Sequence, residues 1–184
     1  MSESIVVLQK RDHAELDRLL ERYEADSPAG RRETFRKIVN LVTTHAFAEE
    51  EVLFPAARRA LGVGEHITAE IESEHQRINE LLKEMEPLVP GDTAFEQRVS
   101  ELFPLLRLDV RNEEDRLLGA LEKALDEKAL RRIGVAWLLA KKAAPSRGHP
   151  AIPRRPPGNL LAGIPLFFVD RLRALFARWR HAPQ

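Results

Sequence analysis

The sequence predicts an all-α protein: an up-down-up-down four-helix bundle followed by a short fifth helix, a proline-rich strap and a C-terminal amphipathic helix. Three observations carry this. Apolar residues recur at alternating three- and four-residue spacing through four long segments. The breaks between those segments, "ADSPAG", "GVG" and "PLVPGD", are short, which sets consecutive helices side by side and antiparallel. The composition then changes abruptly at residue 145, where "PSRGHPAIPRRPPG" holds five of the twelve prolines.

Taken in order, the first helix is expected over about 4–24 and the second over about 31–61, with Pro55 kinking its far end. The third is expected over about 66–85 and the fourth over about 93–127, with Pro104 bending it. Residues 1–128 make up the bundle, 129–144 ("ALRRIGVAWLLAKKAA") a short fifth helix, 145–158 the strap and 159–184 a basic amphipathic helix. In that last helix Phe168, Leu172, Leu175, Phe176 and Trp179 fall on one side.

Composition narrows the function. The 184 residues are 43% hydrophobic and 32% charged, as in a folded globular chain. Formal net charge is zero, so nothing in the balance calls for nucleic acid. There is no cysteine, which excludes thiolate metal sites and cysteine nucleophiles together. The start has no signal-peptide pattern, and the apolar run "NLLAGIPLFFV" is too short to span a membrane, so a cytoplasmic protein is expected. From 145 onward seven arginines face one aspartate, net +6, leaving −6 on residues 1–144.

The seams themselves raise the chemical question. The second helix presents Phe35, Ile38, Val42, His45, Glu49, Val52 and Ala56. The third presents Ile67, Ile71, His75, Ile78, Leu82 and Met85. The fourth presents Phe95, Val99, Leu102, Leu106, Asp109, Glu113, Leu117 and Ala120. In the first, His13 aligns with Val6, Leu16 and Leu20. Six polar residues therefore interrupt apolar stripes at a middle level: His13, His45, Glu49, His75, Asp109 and Glu113. Buried charges of this kind must be paired or bound to a cation. Three imidazoles with three carboxylates suit iron or manganese, and i, i+4 spacing sets two ligands on one helix face. The competing reading makes each histidine a satisfied core residue and the runs "EEE" and "EED" solvated helix faces.

The segments "DHAEL", "HAFAEEEVLFP", "EHQRI" and "DVRNEEDRLL" resemble the four ligand segments of the hemerythrin-like (HHE cation-binding) domain, over about residues 1–128. The strap and tail resemble extensions of actinobacterial members. The resemblance implies a carboxylate-bridged non-haem di-iron centre, with an oxo or hydroxo bridge. It implies that His13 and His45 serve one iron, that Glu49 and Glu113 bridge, and that His75 belongs to the other. Manganese or a single iron are the alternatives. Asp109 departs from the pattern, standing where the family usually has histidine, and Glu114 is a candidate substitute for Glu113. Asn79 stands where hemerythrins proper carry another histidine.

The expected function is to bind, sense or consume a small oxidant (dioxygen, peroxide or nitric oxide) or to handle iron, in a monomer or homodimer. The alternative is a metal-stabilised interaction module whose output is the C-terminal helix, on a membrane surface or docked back on the acidic bundle.

Overall fold

The computed structural model describes residues 2–144. The strap and C-terminal helix expected from the sequence lie outside the described residues. The chain forms α1 (Ile5–Ala25), α2 (Pro28–Ala48), α3 (Phe54–Ala60), α4 (Gly64–Met85), α5 (Thr93–Asn112), α6 (Gly119–Ala124) and α7 (Glu127–Ala143). Two π-helical segments, Glu49–Leu53 and Glu113–Leu118, join α2 to α3 and α5 to α6 without a break. The result is an all-α bundle of four long rods, with α7 laid against α1 and α2. No described helix is long and apolar enough to cross a membrane.

Local chemistry accounts for the helix starts. Ser4 and Ser27 cap α1 and α2 by accepting from the amides of Val7 and Gly30, and Pro28 sits in the first turn of α2. Asp126 caps α7 through the Ala129 amide at 2.7 Å. Leu125 and Asp126 are extended, so the fourth rod ends at Ala124, before the limit of about 127 expected from the sequence. Gly64 is required by close approach, since a Cβ there would sit 2.4 Å from the Ala57 carbonyl oxygen.

Apolar burial falls into two halves. One is built on Leu16, Leu20, Tyr23, Phe35, Ile38, Ile78, Phe95, Leu102 and Leu106. The other gathers Ile5, Leu8, Leu53, Phe54, Ile71, Leu117, Leu121 and, from α7, Trp137. Between these two clusters in every rod comes a polar residue of the seam.

The π segments correct two seams. Past Glu49 the stripe was expected at Val52 and Ala56, but Leu53, Phe54 and Ala57 are buried instead. Past Glu113, Leu117 is buried as expected, while Leu121 takes the place expected for Ala120. A π segment admits one extra residue per turn, so the inward stripe advances by one position after it. At Pro55, the missing amide falls in the first turn of α3, directly after the π segment.

Candidate metal centre

Four rods deliver the six polar residues to one place. His13 comes from α1, His45 from α2, His75 from α4 and Asp109 from α5, while Glu49 and Glu113 each open a π segment. All six are buried. His13 Nε2 lies 3.3 Å from His45 Nε2 and 2.9 Å from Glu113 Oε2. The two Glu49 oxygens divide, Oε1 standing 3.3 Å from His45 Nε2 and Oε2 3.5 Å from His75 Nε2. Glu113 divides the same way: Oε2 faces His13 and His45, and Oε1 is 3.6 Å from His75 Nε2. Each carboxylate thus spans from one imidazole group to another.

Two sets have ligand atoms all within 4.8 Å of one another: His13, His45 and Glu113, and Glu49, His75 and Glu113. Asp109 belongs to neither set, its Oδ1 standing 3.7 Å from His75 Nε2. His66, by contrast, is a largely exposed residue near the start of α4, and Asn79 is buried one turn beyond His75.

The outer nitrogens settle the tautomers. His13 Nδ1 meets Glu114 Oε1 at 2.7 Å, His45 Nδ1 meets Asp12 Oδ2 at 3.1 Å, and His75 Nδ1 meets Glu50 Oε1 at 3.0 Å. An ionised carboxylate only accepts, so each Nδ1 donates and each Nε2 turns its lone pair inward. Two such lone pairs 3.3 Å apart, ringed by carboxylate oxygens, repel unless a proton or a cation lies among them. Both oxygens of Glu49 and of Glu113, Asp109 Oδ1 and His75 Nε2 are buried without a hydrogen-bond partner. Such a donor set fits a cation.

The electrostatics agree. Burial opposes charge on His45, but Glu49, Asp12 and Glu113 outweigh it and hold its pKa well above the ordinary imidazole value. His75 is raised in the same way, against burial, by Asp109, Glu113 and Glu50. Burial and then Glu113 push Asp109 well above the usual carboxylate range, and the same two causes raise Glu49. Glu113 goes the other way: burial would raise it, but hydrogen bonds from all three histidines hold it well down. Without a cation, the centre is a store of protons that a metal would displace.

A family model, the hemerythrin HHE cation-binding domain, matches residues 4–121. The chain belongs to that family. This hemerythrin-like chain is 28% identical over 136 residues to an uncharacterised hemerythrin-like protein of Schizosaccharomyces pombe, an alignment covering 73% of this chain and 67% of that one. It is also 31% identical over 139 residues to a protein of Nostoc named a DNA nickase, covering 75% of this chain but 38% of the relative. No solved structure gives a significant match.

Sequence reasoning missed the outer carboxylates. Glu50 was assigned with its run to a solvated face, yet it is buried on His75. Its neighbour Glu51, half-buried, is pushed up to about 7 by burial and by Glu50. Glu114, weighed as a substitute for Glu113, braces His13 instead. The signal available was adjacency: each of these carboxylates directly precedes or follows a seam residue. Gln9 was also missed. It fills the α1 seam between Val6 and His13, fully buried, and neither polar atom of its side chain has a hydrogen-bond partner.

Proposed function

We propose that this hemerythrin-like chain is a non-haem iron protein that holds two ions and binds, senses or consumes a small oxidant, or handles iron. The observation that supports it is the pair of buried carboxylates, Glu49 and Glu113, each spanning two imidazole groups with no hydrogen-bond partner. In this reading His13 and His45 hold one ion, His75 and Asp109 the other, and Glu49 and Glu113 join them. Iron at these ligands supplies a ferrous–ferric couple and a coordination position open to dioxygen, peroxide or nitric oxide. The hard, mixed donor set suits iron, with manganese next.

The rest of the chemistry belongs to the protein. Glu114, Asp12 and Glu50 fix the imidazole tautomers and strengthen their donation. The apolar halves on either side keep bulk water out. Asp109 brings an anion where an imidazole would be neutral, which favours the ferric state. That weighs against reversible oxygen carriage and toward sensing or consuming an oxidant.

The test is metal content per chain on aerobically purified protein, with its ultraviolet–visible spectrum. Two irons and near-ultraviolet charge-transfer absorption are expected. No iron after anaerobic ferrous reconstitution overturns the reading, and one iron confines it to a single site. The likeness to a nickase covers 38% of that protein, and residues 1–144 carry net −6. Supercoiled plasmid incubated with the iron-loaded protein is therefore expected to stay closed, as a gel would show.

A further inference from the structure

The brace on His45 is anchored outside the four rods. Asp12 Oδ2 accepts from His45 Nδ1 at 3.1 Å, and the same oxygen pairs with Lys141 Nζ of α7. Four residues earlier on α7, Trp137 sets its ring edge-on to the His45 ring, with centroids 5.6 Å apart. Lys141 Nζ lies 4.7 Å from the centre of that indole. One face of α7 therefore meets His45 twice, by packing and by a charged relay. The relay is shielded, with the Asp12 and Lys141 side chains only 13% and 20% exposed. Close packing holds α7 there, since a Cβ on Gly134 would meet the Glu3 carbonyl oxygen at 2.6 Å. The family match ends at residue 121, before α7 begins.

We propose that Lys141 is a positioning residue of the metal centre, carried by α7 and acting through Asp12 on His45. The proposal rests on the reading of the site as an iron centre. A cation on the far side of Asp12 draws off part of its negative charge, so Asp12 pulls less on the Nδ1 proton and His45 donates less strongly. In a shielded site this influence is weakly screened. Lys141 thereby favours the ferrous state and opposes the bias of Asp109. It also makes the placement of α7 a determinant of the redox balance of the iron held by His45.

The test uses the full chain with Trp179→Phe, so that Trp137 is the one remaining indole. Iron content, iron midpoint potential and indole emission are measured for this protein and for its Lys141→Met, Lys141→Arg and Lys142→Met derivatives. Lys142 is the exposed neighbour and serves as the control. Lys141→Met is expected to keep its iron and to shift the midpoint potential downward, Lys141→Arg to restore it, and Lys142→Met to leave it unchanged. Iron loading of the parent is expected to quench Trp137 emission. An unchanged potential in Lys141→Met at full iron content overturns this proposal alone. Should that variant not fold, emission that ignores iron loading in the parent overturns the coupling of α7 to His45. A parent that takes up no iron overturns the metal reading, and this proposal with it.

Discussion

Glu113 is the residue on which the centre turns, because its carboxylate faces all three buried imidazoles. Removing it leaves the histidines without their shared counter-charge. Glu113→Ala is expected to lose most bound iron, and the metal-free form to lose about 3 kcal/mol of stability, as broken buried pairs do. Metal analysis and denaturant melts check the two effects. Asp109 has the narrower role of completing the set around His75. Asp109→Ala is expected to lower iron from two per chain toward one, and unchanged iron would remove Asp109 from the ligands.

The pH dependence follows from the same residues. His13, His45 and His75 have folded pKa values raised above the unfolded value of about 6.5. Their stabilisation is therefore fully present below that pH and lost as pH rises through the folded values. Asp109 and Glu49, also raised, act in the same direction from a lower starting pH. Glu113 is depressed, so its contribution is lost only as pH falls through its low folded value. The chelated protein is expected to melt at lower temperature as pH rises above about 6.5. Metal affinity runs the other way, because protons compete for the ligands. Melting curves with and without chelator across that range test both.

At the scale of elements, the two π segments matter most. Each begins at a carboxylate that spans two imidazole groups, and each shifts the apolar stripe by one residue, so that Leu53 and Leu121 close the core. Deleting Glu51 is expected to return the second rod to ordinary helix and swing everything after it by roughly 100°. Leu53, Phe54 and Ala57 would leave the core, with a large drop in melting temperature. On α7, Gly134→Val puts side-chain atoms where the α1 backbone stands. It is expected to cost about 2 kcal/mol, typical of overpacking, and calorimetry would show it.

For the whole molecule, a polar layer lies between two apolar halves, and the chain folds around charges that repel without a cation. Metal binding should then be folding energy in part. Saturating iron is expected to raise stability by about 2.7 kcal/mol at a hundredfold excess over Kd. A melting temperature independent of metal concentration would show that the centre folds equally well without it.

Much of this could be read from spacing alone. The four rods, their antiparallel order and six coincident polar residues follow from the periodicity of buried positions, because a helix repeats its faces at a fixed interval. His13, His45, Glu49, His75, Asp109 and Glu113 are buried together because each lies on such a face. The register beyond Glu49 and Glu113 could not be read, since a π turn breaks the interval that the reading assumes. Nor could the pairing of Glu50 with His75, Glu114 with His13, or Lys141 with Asp12. These join residues 25, 101 and 129 positions apart. Periodicity says which way a side chain points on its own helix. Only the packing of helices decides what it meets there.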